Sequence, residues 1–417
     1  MSMGRPRAGR SITSAANRSK TSNVAATPSR HQPNNAVARN LSNPLWCFHG
    51  FRLCVIILTV FGVIMVFSSS SVNMIATGQS PWMQAIRQGV YCVGGLVIAC
   101  IAMMLSAGFY RRISFAFLLF AMLLQAVTLT PLGVEVNGNK GWIGIPGVFT
   151  MQPAEIVKLA LCMWMPNELI HARKQVRKVG ALKAYRKLII GFLCAFCLVM
   201  SGKDLGTGLI ILAIGGIALL LGEFPGKWLA GAALVGVCGI VAFILTSPNR
   251  LGRIMAAYQT CSPSDMQGVC YQAVHGRYAI ASGGLLGVGI GNSGEKWGYL
   301  PEAHNDFIFA IIGEETGFVG AAMVILLFVI MAWCMLVVAI QAQNRYITMV
   351  LACIAVWIVG QAFINIGVVV GLLPVMGVPM PFVSAGGSSL IMCLGAAGVA
   401  ISMMKEQPQI KAENRIL

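Results

Sequence analysis

Acidic side chains are scarce in this chain, so the groups able to do acid–base chemistry can be enumerated. Only 13 Asp and Glu residues occur among 417. The aspartates are Asp204, Asp265 and Asp306, and the glutamates are Glu135, Glu155, Glu168, Glu223, Glu295, Glu302, Glu314, Glu315, Glu406 and Glu413. The densest group lies in Tyr299-Leu300-Pro301-Glu302-Ala303-His304-Asn305-Asp306-Phe307-Ile308-Phe309-Ala310, where two carboxylates and an imidazole stand at the mouth of a long apolar run. Such a group suits general acid–base catalysis, in which a positioned carboxylate or imidazole moves a proton. A plainer role is also open to Asp306, because an Asp just before a helix commonly caps it. Glu314 and Glu315 follow, roughly 12 Å deeper at 1.5 Å per residue. By helical phase, Asp306, Ala310, Gly313, Gly317 and Gly320 share a face of small residues suited to close helix packing. Glu314 projects to one flank and Glu315 to the opposite side. The two glutamates should therefore have different partners, and a structural role is expected for one of them.

Other polar groups sit at the ends of apolar runs. Gln152-Pro153-Ala154-Glu155 leads into a helix with Lys158 three residues on, close enough to pair with Glu155 on one face. Lys203-Asp204-Leu205-Gly206-Thr207 reads as a tight turn between two runs, and Asp204 could cap the second. Arg250 and Arg253 could grip phosphate oxygens or contact lipid headgroups. Pro379-Met380-Pro381-Phe382-Val383-Ser384-Ala385-Gly386-Gly387-Ser388-Ser389 opens the last run, with hydroxyls that can cap or bind. Thirteen cysteines occur, most of them in apolar runs as small hydrophobes. Cys261 and Cys270 lie outside those runs and could pair in an oxidising exterior. No metal-ligand spacing is present.

The elements that must position these groups are set by composition. The chain is 57% hydrophobic and 10% charged, far from a soluble domain, where about a quarter of residues are charged. Apolar runs of this length cross a bilayer of about 30 Å, and in lipid they must be helical because their backbone groups find no water. We read an all-α integral membrane protein of about ten transmembrane helices, at about 53–72, 87–107, 113–131, 154–171, 187–201, 205–222, 228–246, 307–338, 347–371 and 386–404. Residues 1–50, with seven Arg or Lys and no acid, read as a disordered basic tail. Residues 51–405 form the membrane domain, and 406–417 a second tail.

The net charge of +17 would suggest nucleic acid in a soluble protein, but its placement points to membrane topology, and no nucleic-acid partner is expected. With both termini cytoplasmic, about 22 of the 30 Lys and Arg fall on the inner side, as the positive-inside rule requires. One large loop, about 247–305, is then extracytoplasmic. Its stretch Ser282-Gly283-Gly284-Leu285-Leu286-Gly287-Val288-Gly289-Ile290-Gly291 has no strand–turn–helix context, which excludes a dinucleotide fingerprint. A segment so apolar should dip back into the membrane, packed on protein. Four of the acids, Glu168, Glu223, Glu406 and Glu413, fall on the inner side; the rest lie outside or within spans, where ionisable groups default to functional roles.

From about residue 50 to 405 the sequence resembles the SEDS family, the shape, elongation, division and sporulation proteins. The resemblance rests on Gly141-Trp142-Ile143 with Gln152-Pro153-Ala154-Glu155, on Asp204-Leu205-Gly206-Thr207, on Pro301 to Glu315, and on Ser384 to Ser389, in family order. The third of these is closer to the division branch than to the elongation branch. The chain departs from the family where Gly141 replaces an Arg before Trp142, where Ala385 replaces an aromatic, and where His275-Gly276 follows Tyr271-Gln272.

The resemblance implies polymerisation of peptidoglycan glycan on the outer face of a bacterial plasma membrane, at the division septum. The donor would be a strand on undecaprenyl diphosphate. The acceptor would be lipid II, whose 4-hydroxyl attacks and inverts the anomeric carbon. It assigns Asp306 as the catalytic residue. The substrate-binding candidates are Lys140, Glu155, Lys158, Lys203, Asp204, Arg250, Arg253, Gln272, Glu302, His304, Glu314, Ser384 and Ser388. No bound cofactor is implied, although a divalent cation, magnesium or manganese, could assist the diphosphate. The implied partners are a class B penicillin-binding protein and other division proteins. Two further readings stay open: a transporter that flips lipid II, and a non-catalytic scaffold. Acids gathered at one mouth, not spread through the midplane, favour chemistry.

Overall fold

The computed structural model describes residues 42–136, 139–145, 149–258, 268 and 270–413. Among them the helices are α1 (Pro44–Ala76), α2 (Met83–Ala102), α3 (Ala107–Val127), α4 (Pro153–Val179), α5 (Ala181–Ser201), α6 (Leu205–Leu221), α7 (Gly226–Leu245), α8 (Pro248–Tyr258), α9 (Tyr271–Gly283), α10 (Ile308–Gln341), α11 (Arg345–Val369), α12 (Gly387–Lys405) and α13 (Pro408–Glu413). Each of the ten expected apolar runs falls on one of them. Eight (α1, α2, α3, α5, α7, α10, α11 and α12) are long and apolar enough to cross a membrane, so this is a multi-pass membrane protein. The expected ten is reached only if α4 and α6 cross as well. Helix α6 has 17 residues, about 25 Å at the helical rise. Helix α4 is long enough but carries Glu155, Lys158, Glu168 and several Arg and Lys.

The bundle is layered by burial. Helices α11 and α12 are the most enclosed, at 72% and 83% of their apolar windows. Helix α4 packs among α3, α5, α6 and α11, while α12 packs on α2 and α10 on α1. Helix α7 buries no residue and presents apolar side chains all round, as lipid-facing helices do.

Helix α1 starts at Pro44, well before the expected 53 and inside the segment read as a tail to residue 50. Asn43 Oδ1 accepts from the Leu45 N–H at 3.0 Å, and Pro44 fills the first turn, where its missing donor costs nothing. At the other end α13 occupies part of the expected C-terminal tail, and Gln407 Nε2 ties it to Val338 O at 3.0 Å.

A small antiparallel sheet was not expected. Strands β1 (Gly133–Val136), β2 (Asn139–Ile145) and β3 (Phe149–Met151) pair in sequence order, with Val134 opposite Trp142 and Ile143 opposite Met151. The sheet lies over the bundle at the Asp204 turn, where the Lys140 N–H donates to Gly202 O at 3.0 Å.

Helix α10 is broken at Gly317, whose φ of 68° and ψ of −169° are not helical. A break inside a membrane protein frees backbone donors and acceptors that need partners. The glycine-rich loop after α9 supplies them. Val288 N–H donates to Glu314 O and Gly289 N–H to Glu315 O, both at 3.0 Å, while Phe318 N–H donates to Gly284 O at 2.9 Å and Val319 N–H to Leu285 O at 3.2 Å. Side chains could not fit this contact: a Cβ at Gly317 would meet Gly287 N at 2.3 Å, and one at Gly283 would meet Gly313 O at 2.0 Å. The loop is therefore packed on protein, as expected. The small-residue face does not run straight from Ala310 to Gly320, because the break turns it.

Candidate active site

The turn from Leu300 to Phe307 carries Glu302, His304 and Asp306 between the start of α10 and the 371–386 loop. Asp306 does not cap α10. The helix begins at Ile308, and Phe307 occupies the cap position without a side-chain bond. The capping role is thereby removed: the Asp306 carboxylate bonds to no helix N–H, and its Oδ1 is buried with no hydrogen-bond partner among the described residues.

Main-chain contacts hold this turn from below. Asn365 Nδ2 on α11 donates to Asp306 O at 2.7 Å and to Val378 O at 2.8 Å. Ser384 Oγ donates to Asn305 O at 2.6 Å and accepts from the Met380 N–H at 2.8 Å, and the Ala385 N–H donates to His304 O at 2.9 Å. Gln272 Nε2 on α9 donates to Pro301 O at 3.1 Å. Gln272 and Ser384 thus help position the turn.

The turn is electrostatically tuned. Glu302 has a positive φ of 56° and accepts from Asn305 Nδ2. Burial pushes the Asp306 carboxyl up to about 7, the Glu302 charge pushes the same way, and Arg253 opposes them. Burial lowers the His304 imidazole while Glu302 raises it. The cause is desolvation of a charge, helped by a like charge close by. Arg253, exposed on α8, thus lies within electrostatic reach of Asp306. Arg250 does not join it. Its Nη1 donates to Phe243 O at 2.6 Å and its guanidinium lies 3.7 Å from the Phe243 ring centroid, so it is folded back on α7.

A second group gathers at the sheet. Asp204 caps α6 through Oδ1, which accepts from the Thr207 N–H at 3.0 Å, and its Oδ2 accepts from Gln152 Nε2 at 2.8 Å. Ser388 Oγ accepts from the Gln152 N–H at 3.2 Å. Both Asp204 oxygens and the Ser388 hydroxyl thus accept hydrogen bonds from the protein, and Asp204 takes the capping role its position before α6 suggested. Lys140, on β2, and Lys203, exposed at a positive φ of 65°, have ammonium groups without a protein partner among the described residues. The two groups share a wall. A Cβ at Gly206 would meet Met376 O at 2.9 Å, and one at Gly377 would stand 3.9 Å from Asp306 Oδ2.

Three further candidates are buried. Glu155 and Lys158, each 1% exposed, pair with each other at 2.8 Å, as their spacing suggested. Lys158 Nζ also donates to Gln361 Oε1 at 2.8 Å, and Gln361 Nε2 donates to Pro379 O at 2.8 Å, so the pair braces the same loop as Asn365. Glu314 accepts from Ser293 Oγ at 2.5 Å and from the Gly294 N–H at 2.9 Å, which anchors the glycine-rich loop. Glu315 takes different partners: Lys296 Nζ at 3.0 Å and Ser68 Oγ at 2.7 Å. Cys270 is disulfide-bonded, and Cys261 lies outside the described residues, as does Asp265.

Among the described residues, no three His, Cys, Asp or Glu side chains converge as metal ligands. Sequence reasoning missed Asn365, Gln361, Lys296 and Ser68. A signal existed for the first two, since Gln361 and Asn365 are polar, four residues apart and inside an apolar run, and so share a helix face.

The FTSW_RODA_SPOVE family of cell cycle proteins matches residues 48–409. This chain belongs to the SEDS family. As a SEDS protein it is 33% identical over 403 residues to the probable peptidoglycan glycosyltransferase FtsW of Mycobacterium tuberculosis, covering 94% of this chain and 74% of that one. It is 32% identical to stage V sporulation protein E of Bacillus subtilis, covering 84% and 94%. It is 34% identical to the probable peptidoglycan glycosyltransferase FtsW of Escherichia coli O157:H7, covering 80% of each. The SEDS fold recurs in the rod shape determining protein RodA of Thermus thermophilus, with a TM-score of 0.63 over 86% of this chain and 97% of that one at 23% identity. It recurs also in a chain of a peptidoglycan synthase complex, with a TM-score of 0.67 over 87% and 98% at 22% identity.

Proposed function

We propose that this SEDS protein is a peptidoglycan glycosyltransferase of septal cell-wall synthesis, joining lipid II disaccharides at the bundle end that carries Asp306. The observation that carries the reading is the Asp306 carboxylate, one oxygen unpartnered, on a turn braced by Asn365 and Ser384. The names of its M. tuberculosis and E. coli relatives support the same chemistry.

In this reaction the Asp306 carboxylate takes the proton of the acceptor's 4-hydroxyl as that oxygen bonds to the donor's anomeric carbon. The carbon's bond to the undecaprenyl diphosphate oxygen breaks with inversion, and the diphosphate leaves with the electron pair. A base with a pKa near the working pH accepts the proton readily while about half of it remains ionised. Arg253 lies within electrostatic reach of the base and is the first candidate to stabilise the departing diphosphate; Lys140 and Lys203 are free to add to it. A class B penicillin-binding protein, with its single membrane helix, is the proposed partner, and the termini are proposed to be cytoplasmic.

A second reading, lipid II transport, draws on the buried Glu155–Lys158 pair, whose Glu155 Oε2 has no hydrogen-bond partner among the described residues. Unsatisfied ionisable groups inside a bundle are typical of transport paths. Purified protein in vesicles with its cognate transpeptidase and lipid II separates the two. Glycan polymer, released by muramidase digestion, is expected. Lipid II crossing the bilayer without any polymer would overturn the glycosyltransferase reading.

A further inference from the structure

At the end of the bundle opposite Asp306, beyond the C-terminus of the 34-residue α10, a cavity of about 190 Å³ opens between α4, α6 and α11. Its inner wall is apolar, made by Leu169, Ile170 and Met349, and its mouth carries Arg173, Lys174 and Arg345. Gly222 packs directly on this wall, since a Cβ there would meet Leu169 at 2.9 Å.

The charge at the mouth is unbalanced. Glu223, at a positive φ of 53°, takes both guanidiniums: Arg345 Nη2 at 2.6 Å and Arg173 Nη2. Arg345 also donates to Leu221 O at 2.8 Å, a carbonyl freed at the end of α6. The nearby Glu168 is engaged by Lys187 at 2.9 Å. Of the three cations only Arg173 and Arg345 pair with this one carboxylate, which leaves two positive charges beside an apolar slot. Trp228, half exposed just past this turn, is of the residue type that settles at the headgroup level of a bilayer.

We propose that this cavity binds an anionic phospholipid, its phosphate against Arg173, Lys174 and Arg345 and an acyl chain along Leu169, Ile170 and Met349. A soluble phosphate could use the cations but would leave the apolar wall empty. A neutral lipid could use the wall but would gain little from the cations. Basic pockets between membrane helices are suited to anionic headgroups, and guanidiniums grip phosphate oxygens in pairs. Glu223 then plays two parts: it holds the arginines in place, and it competes with the phosphate for them.

The test uses the purified full-length chain in neutral detergent, titrated with phosphatidylglycerol, phosphatidylcholine or inorganic phosphate, with bound molecules counted by native mass spectrometry. Wild type should take up phosphatidylglycerol saturably. Lys174→Gln should weaken it about fivefold, and Lys174→Gln with Arg345→Gln about 25-fold, from the usual gain per cation near a membrane. Glu223→Gln should tighten it, which no loss of folding can mimic. Phosphatidylcholine should be indifferent to all three variants, and inorganic phosphate should fail to displace the lipid at equal concentration. Equal binding of the two lipids, affinity unmoved by Glu223→Gln and the double variant, or displacement by phosphate alone would each overturn the proposal.

Discussion

Asn365 holds Asp306 by its main chain: the amide donates to Asp306 O at 2.7 Å and, at the same time, to Val378 O at 2.8 Å. One buried side chain on α11 therefore fixes the turn that carries the carboxylate and the loop that walls it. Replacing Asn365 by Leu, of similar size, would leave two carbonyls without a donor, at about 1–3 kcal/mol each if they stay dry. Polymerisation by Asn365→Leu should fall at least tenfold while the purified protein keeps its helix content and its transpeptidase. Near-normal turnover would show that Ser384, Ala385 and Gln272 hold the turn without Asn365.

The Asp306 carboxyl, pushed up to about 7 by burial and by the Glu302 charge, should appear in the pH profile. A base must be ionised to act, so the rate should rise with pH through an inflection near 7. Glu302→Gln removes a charge that raises this pKa, and its inflection should move to lower pH. Arg253→Gln removes a charge that lowers it, and its inflection should move to higher pH. Initial rates of glycan formation across pH check the signs. Shifts in the same direction for both variants would contradict the assignment.

Lys296, Glu315 and Ser68 form a buried group that joins the glycine-rich loop to α10 and α1. Lys296 and Glu315 are almost fully enclosed, at 3% and 0% exposure. Lys296→Met leaves a dry, unpaired carboxylate, which commonly costs about 3–5 kcal/mol. It should lower the thermal midpoint in detergent sharply. Adding Glu315→Gln should restore much of the loss, because the charge is then gone too. If the double variant is no more stable than the single, the pair is not coupled.

The break in α10 makes a stricter demand. Gly317 adopts a positive φ and leaves no room for a Cβ beside Gly287. Gly317→Ala should force the glycine-rich loop off the helix and lower the yield of folded protein. Gly216, where a Cβ would meet nothing within 4 Å, is the control: Gly216→Ala should be tolerated. Equal yields would mean that the break accommodates a side chain.

These relationships differ in how far the sequence discloses them. The membrane helices were legible because continuous apolar runs have few alternatives in lipid. The acid-bearing turn was legible because carboxylates are rare enough to enumerate. The β1–β2 strands were missed, although Val134-Glu135-Val136 alternates and Asn137-Gly138 is a hairpin signal. The partners of Glu314 and Glu315 were not legible. Ser293 and Lys296 lie about 20 residues upstream and Ser68 almost 250 away, and only the loop folding back on the Gly317 break brings them together. Helical phase also misled for Asp306, since that residue precedes the helix and its direction is set by Asn365 and Ser384. The capping role of Asp204 was legible from its place before an apolar run. The contacts of Asp204 and Ser388 with Gln152 were not, because they depend on tertiary placement.

Asp306 is proposed as the base. The most direct measurement compares wild type and Asp306→Asn, each purified with its transpeptidase and shown to have the same thermal midpoint, for glycan polymer made from lipid II. Asn keeps the shape of the side chain and removes its basicity. Polymerisation should fall by about 100-fold or more, in line with the usual contribution of a positioned base. Polymer from the Asn variant at a rate within threefold of wild type would contradict the account.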